Sequence, residues 1–209
     1  LNQLESIDLQ NSLSEFYNVD RITLDGKINS LSVRLKHDSV HDDLVNKYRA
    51  IIIAKPQHPF AERDKFLIDQ FVMRGGKVLW LVDPVFASMD SLQKYNTTMG
   101  IPNDVNLEDL LFNYGVRLNS RLVQDLNALP IPVKTGLIGN QPQFEYFKWY
   151  FFPILIPTIN HPVVNGLNAI KTEFVSSLDT AAVPGVKKTV LLETSPYSRT
   201  VNVPVLIDL

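Results

Sequence analysis

The pattern of apolar positions predicts a strand, a helix and a second strand between residues 50 and 82. The segment at 50–54 reads AIIIA, a short β-branched run of the kind found in strands covered on both faces. Apolar residues then recur at helical spacing within 61–74, and KVLWLV at 77–82 is a second apolar run. A strand, a helix and a strand within about 35 residues predict a βαβ unit with parallel strands and a right-handed crossover.

The ends of this helix are marked by charge and by glycine. Glu62 and Asp64 lie in its first turn and Arg74 lies in its last turn, as the helix dipole favours. Gly75 follows at the position where a helix commonly ends on a residue with positive φ. The sequence therefore predicts a helix that stops at Gly75.

Weaker patterns on either side extend the prediction. The spacing of apolar residues or their alternation with polar ones predicts a helix at 9–16, a strand at 19–24, a helix at 107–114 that Asn106 caps, and a strand at 121–124 that ends in Asp125. Together these elements predict a doubly wound, three-layer α/β core over 1–127 with a mostly parallel sheet.

Residues 128–209 have a different character. The stretch 129–143 contains three prolines and two glycines, which predicts a loop. The apolar runs at 189–192 and 201–207 predict strands without helices between them. We therefore expect a loop- and strand-rich extension that packs on the core or completes it.

Composition excludes several classes of function. The 209 residues include 20 Lys and Arg against 22 Asp and Glu, so no excess of positive charge is present to bind nucleic acid. The chain has no cysteine, which rules out thiolate nucleophiles, thiolate metal sites and disulfides. No apolar run is long enough to cross a membrane. Because the chain begins at Leu1 and ends within an apparent strand, we expect a fragment of a longer protein, in which membrane anchors could lie outside this part.

Polar residues at the predicted strand ends form the first candidate site. In open α/β sheets, ligands bind at the carboxyl ends of the strands, and Lys55, Asp83 and Asp125 lie there. Two acids at neighbouring strand ends could bind Mg²⁺ or act as acid and base, or each could cap a local turn. No glycine-rich phosphate loop follows either strand, so no nucleotide cofactor is expected.

Other chemistry is weakly marked. His37 and His41 are four residues apart within HDSVHDD, which is either a metal pair on a helix or a solvated loop. No third ligand is evident, and no G-x-S-x-G motif marks a catalytic serine. The sequence predicts neither a resident metal nor a catalytic site.

An aromatic cluster forms the second candidate site. Within 144–152 we single out Tyr146, Trp149, Tyr150 and Phe151. Tyr and Trp are favoured at protein interfaces and at membrane interfaces, so the cluster could dock onto a partner. The alternative is that the rings cover the sheet from a loop.

Several segments together resemble a known family. They are LSEFYNVDRITLDG at 13–26, FLIDQFVMRGGKVLWLVDP at 66–84, NLEDLLFNYGVRLN at 106–119, LVQD at 122–125, GNQPQ at 139–143, EFVSSLDT at 173–180 and KKTVLLETSPYSR at 187–199. They resemble the GldG-type auxiliary components of the gliding-motility-associated ABC transporters of Bacteroidetes, across essentially the whole chain. The wider transporter-auxiliary domain is similar to one in intraflagellar transport proteins.

The resemblance implies a flavodoxin- or amidotransferase-like α/β fold without a catalytic constellation. It also implies a protein anchored in the inner membrane, with this part on the periplasmic face, bound to a permease and through it to a cytoplasmic ATPase. We expect a non-enzymatic accessory or scaffold domain. Two alternatives stay open: a small-ligand-binding domain that gates or feeds the transporter, and a cryptic hydrolase or transferase with a metal at the two acids.

Overall fold

The structure divides into two compact units. It is a computed structural model that describes residues 6–38 and 41–209, with the side chains of 36–42 left out. One unit consists of Leu1–Val82 with Asp104–Leu110, and the other of Asp83–Asn103 with Leu111–Leu209. Whether 1–127 and 128–209 form separate domains stays a prediction.

The described residues form four α-helices, one short 3₁₀ helix at Ile28–Ser30 and fourteen strands. The helices are α1 (Ile7–Ser14), α2 (Glu62–Met73), α3 (Met89–Tyr95) and α4 (Glu108–Asn113). The strands are β1 (Ser32–Asp38), β2 (His41–Asn46), β3 (Ala50–Ala54), β4 (Lys77–Leu81), β5 (Val85–Phe86), β6 (Thr97–Pro102), β7 (Val116–Asp125), β8 (Ala128–Ile138), β9 (Gln141–Pro157), β10 (Ile170–Lys171), β11 (Ser176–Thr180), β12 (Leu192–Glu193), β13 (Ser198–Asn202) and β14 (Val205–Asp208).

The predicted βαβ unit is confirmed. β3 and β4 pair in parallel, from Ala50 opposite Lys77 to Ala54 opposite Leu81, and α2 connects them. Leu67, Ile68 and Phe71 are buried on α2, as the helical spacing predicts.

The end of α2 also follows its sequence. Gly75 has a φ of +84°, which a residue with a side chain rarely adopts. The Gly76 N–H donates to the Phe71 carbonyl at 3.0 Å and the Gly75 N–H donates to the Val72 carbonyl at 2.8 Å. These two bonds form a Schellman motif, which satisfies the last carbonyl groups of the helix.

A buried lysine joins α2 to the segment 104–110 in the same unit. The Lys65 ammonium lies 2.8 Å from carboxylate oxygens of both Glu62 and Asp109, and 3.4 Å from the Asn106 side-chain oxygen. Burial lowers the pKa of Lys65, but hydrogen bonds to Asp109 and Glu62 outweigh it, so the net pKa lies above its ordinary value. The ammonium is therefore kept charged inside the unit.

The predicted three-layer fold with a mostly parallel sheet is wrong. Within the described part of the chain, β3 with β4 is the one parallel pair. All other pairs are antiparallel, in small sheets with the orders β1-β2, β10-β9-β12 with β8 on β9, β11-β7-β13 and β14-β6-β5. The chain is strand-rich and neither flavodoxin-like nor Rossmann-like.

The short connections explain this correction. A parallel pair needs a crossover of a dozen or more residues. β5 begins at Val85, soon after β4 ends at Leu81, and two residues, Gly139 and Asn140, join β8 to β9. Connections this short permit only antiparallel neighbours or a change of sheet.

The second unit has a core built mainly from strands. Leu122, Phe151, Phe152 and Phe174 are buried in one cluster. The remaining buried members are Val85, Leu92, Ile131 and Ile207. Phe152 and Phe174 meet edge to face with ring centroids 5.3 Å apart, a favoured aromatic geometry.

The loop predicted at 129–143 instead belongs to a β-hairpin and covers most of β8, the turn and the start of β9. β8 and β9 pair from Ile138 opposite Gln141 inward, with Gly139 at a φ of +62° in the turn. Pro130 and Pro132 lie in β8, which pairs on one side with β9 in the described structure. Proline is tolerated in an edge strand because its missing N–H can face away from the ladder.

Other local predictions met mixed outcomes. The first helix is confirmed as α1, the strand ending at Asp125 as β7, and the helix after Asn106 as α4. The strand expected at 19–24 does not form, and the single strand expected at 201–207 is split between β13 and β14. Alternation alone does not make a strand, because the backbone also needs a partner for its hydrogen bonds.

We predict that Gly76→Ala destabilises the first unit. A Cβ at Gly76 would lie 2.3 Å from the Phe71 ring, which is fully buried and cannot yield without repacking. Overpacking of this kind costs about 1–3 kcal/mol. Gly136→Ala is the matched control, because its Cβ would meet nothing closer than 3.9 Å. Urea unfolding should show a lower midpoint for Gly76→Ala alone, and equal midpoints for the two variants would contradict the prediction.

Candidate functional site

Asp125, one of the predicted crevice residues, lies at the end of β7 and is 1% exposed. Its carboxylate accepts hydrogen bonds from the Ser195 hydroxyl at 2.5 Å, the Ser195 N–H at 2.7 Å and the Asn127 N–H at 2.8 Å. Both oxygens are occupied, and the bonds join segments 70 residues apart in sequence. These contacts are those of a structural carboxylate that fixes a turn.

The hydrogen bonds also set the charge of Asp125. Burial raises the pKa of the carboxyl, but the Ser195 hydroxyl and the backbone N–H groups of Asn127 and Ser195 outweigh it, so the pKa lies below 3.8. Asp125 is therefore an anion at neutral pH, held by three donors. It is poorly suited to donate a proton or to exchange ligands.

A shallow depression of about 290 Å³ borders Asp125. Its rim is formed by the exposed side chains of Leu126, Tyr150 and Tyr197. Arg199 Nε also lines it and donates a hydrogen bond to Gln124 Oε1 at 2.8 Å. Of the polar residues that line it, Arg199 pairs with Gln124, and Asp125 is bonded to Ser195 and Asn127.

The other two crevice residues do not strengthen that site. Lys55 belongs to the first unit and is exposed, whereas Asp83 belongs to the second and is half-buried. Asp83 follows β4 and Asp125 ends β7, and those strands belong to different sheets. Asp83 and Asp125 are therefore not at adjacent ends of one sheet, and the crevice stays a prediction.

The predicted aromatic cluster lies on β9, and its four residues divide by burial. Phe151 is 8% exposed and belongs to the core, and Trp149 packs against that core with its Nε1–H buried and unpaired among the described residues. Tyr146 and Tyr150 are 73% and 47% exposed. Of the four residues, the two tyrosines are therefore available for contact with a partner.

The β8–β9 hairpin has two different faces because paired residues of antiparallel strands point the same way. One face, which we call the core-side face, includes Ile131, which is buried, and Val133, which packs against the core cluster. We call the other the open face. By register it consists of Pro130, Pro132, Lys134 and Leu137 on β8 and Pro142, Phe144, Tyr146 and Lys148 on β9, all exposed.

Most residues of the open face were not among the candidate site residues predicted from the sequence. Phe144 lies near Tyr146 on β9 and is 54% exposed, and Lys134 lies directly opposite Phe144. The alternation of Phe144 and Tyr146 with polar neighbours was a signal for a strand. The three prolines within 129–143 favour a loop in a prediction from sequence, because proline is rare inside strands.

Metal binding and membrane crossing find no support in the described residues. His37 and His41 lie outside the residues whose side chains are described. Among the side chains that are described, no group of three or more His, Asp or Glu residues is placed to hold a metal ion. No described helix combines the length and the apolar character needed to span a bilayer.

We predict that Ser195→Ala destabilises the chain at neutral pH by about 1.5–3 kcal/mol, the range for a hydrogen bond to a charged group. Because the pKa of Asp125 is lower in the folded state, the bond stabilises above the ordinary value of 3.8 and this stabilisation is lost as pH falls through the folded pKa. The penalty should therefore shrink in acid.

The control for this prediction is Ser198→Ala. Ser198 shares a hydrogen bond of 2.9 Å with the neutral Thr194 hydroxyl, so its penalty should not depend on pH. Urea unfolding of both variants between pH 7 and pH 3 provides the comparison. A Ser195→Ala penalty that stays constant over this range would contradict the role assigned to Asp125.

Comparison with known proteins gives one match. No curated protein and no solved structure matches the chain. A family model described as an ABC-type uncharacterized transport system matches residues 1–209. This agrees with the resemblance of the sequence to a GldG-type auxiliary domain. The chain belongs to this family of ABC transport system auxiliary components.

Proposed function

We propose that the chain is a non-enzymatic, extracytoplasmic accessory domain of an ABC transporter associated with gliding motility. Family membership supports a role in an ABC-type transport system. The observation that carries the proposal further is the β8–β9 hairpin, whose residues 141–148 are exposed on both faces. Exposed aromatic residues grouped on one element are typical of a surface that contacts another molecule.

The state of Asp125 supports a scaffold over an enzyme. A catalytic acid or base needs a lone pair or proton within reach of a substrate. Asp125 accepts three protein hydrogen bonds and is almost completely buried. Its geometry favours stability of the β7 end, which supports a structural role for this carboxylate.

The proposed partners follow from the family. We infer that the domain contacts a permease subunit and, through it, a cytoplasmic ATPase, on the periplasmic side of the inner membrane. The sequence segments that resemble GldG-type proteins support the link to gliding motility. The function of the domain is then to hold or orient the transporter.

The test is purification of the full-length tagged protein from detergent-solubilised membranes of its own host. Mass spectrometry should identify one permease and one ATP-binding subunit in stoichiometric amounts. A preparation that yields neither, from membranes that contain both, would refute the proposal.

A variant separates the scaffold from the ligand-gating alternative. Lys55→Ala with Asp83→Ala alters two of the three predicted crevice residues and leaves the Asp125 hydrogen bonds in place. We expect the complex to assemble and gliding to continue, with circular dichroism unchanged. Loss of gliding by an assembled complex would instead favour the ligand-gating alternative.

A further inference from the structure

The open face of the β8–β9 hairpin combines aromatic and cationic residues without an acid. Phe144 and Tyr146 lie two residues apart on β9, so both are on this face. Lys134 lies opposite Phe144, and Lys148 lies opposite Pro130. The nearest acid along the strand, Glu145, pairs with Val133 and so belongs to the core-side face. The open face therefore carries two positive charges on a chain whose net charge is −2.

The charges of the two lysines are unpaired in the part of the chain that the structure describes. Among the described residues, no carboxylate forms an ion pair with Lys134 or Lys148. In contrast, Lys27 and Lys171 each pair with one carboxylate and Lys65 pairs with two. Both lysines are exposed. Their charge is available to an external anion.

The apolar part of the face has the chemistry of a membrane interface. Tyrosine combines an apolar ring with a polar hydroxyl and is enriched where hydrocarbon meets water, and phenylalanine adds apolar area. Lysine extends an aliphatic stem along apolar surface and keeps its charge among headgroups. Leu137 and three prolines fill the remaining positions without adding charge.

We propose that the open face of the β8–β9 hairpin binds the surface of an anionic lipid bilayer. Charge complementarity favours this partner, because anionic lipid headgroups can pair with the two lysines. The aromatic rings can insert at the membrane–water interface. The proposal rests on the proposed function in one respect: a transporter accessory domain lies beside a bilayer. It gives the hairpin a role in setting the distance of the domain from that bilayer.

The test is flotation of the purified chain with vesicles. It should partition onto vesicles that contain phosphatidylglycerol and much less onto vesicles of phosphatidylcholine alone. Lys134→Glu with Lys148→Glu should weaken partitioning by roughly 30-fold or more, from about fivefold per lysine. Phe144→Ser with Tyr146→Ser should weaken it about tenfold or more through lost apolar burial.

The matched control is Lys94→Glu with Tyr95→Ser, which changes the same residue types at an exposed pair on α3. This control should bind vesicles as well as the unmodified chain does. Added salt should reduce the vesicle binding of the unmodified chain more than that of the variant with Lys134→Glu and Lys148→Glu. Circular dichroism and urea midpoints confirm that each variant is folded.

Three results would overturn the proposal. They are no binding to anionic vesicles, equal binding to both lipid compositions, and equal loss in the control variant. If vesicles are not bound but Phe144→Ser with Tyr146→Ser loses the permease in the membrane purification, the open face contacts protein instead. In that case the membrane proposal fails while the accessory function stands, so the two failures are distinguishable.

Discussion

The packing of Phe151 and Phe152 against Phe174 is the interaction on which the second unit depends. The Phe174 N–H donates to the Phe151 carbonyl at 2.9 Å, and Phe174 has a φ of +49°, an unfavourable region for a bulky residue. Such a conformation costs of order 1–3 kcal/mol, which burial of the ring, about 1.5–3 kcal/mol, is able to offset. The buried aromatic residues thus hold the inner part of β9 in place.

This packing divides β9 into two parts with different roles. The inner part carries Phe151 and Phe152 into the core, while residues 141–148 are exposed on both faces. A strand anchored at one end can present side chains at the other without losing its position. Hydrogen-bonded pairing with β8 sets the positions of the residues on the open face. Phe144, Tyr146 and two lysines give this face its aromatic and cationic character.

The sequence predicted local structure well and overall topology poorly. The βαβ unit from β3 to β4 and the helix end at Gly75 were predicted because periodicity and glycine conformation act within a few residues. The parallel three-layer sheet was wrong because strand pairing depends on distant partners. For the aromatic cluster, the sequence left open whether the rings dock onto a partner or cover the sheet, and in the structure Tyr146 and Tyr150 are exposed while Phe151 is buried.

The sequence by itself determined the absence of thiol chemistry, the near-neutral charge, the family resemblance and the positions of several helices and strands. The tertiary structure alone decided that Asp125 is closed by Ser195, 70 residues further along the chain, and that prolines at 130 and 132 lie in an edge strand. The physical reason is range: side-chain pattern and turn chemistry act between neighbours, but burial and hydrogen-bond partners come from residues that only folding brings together.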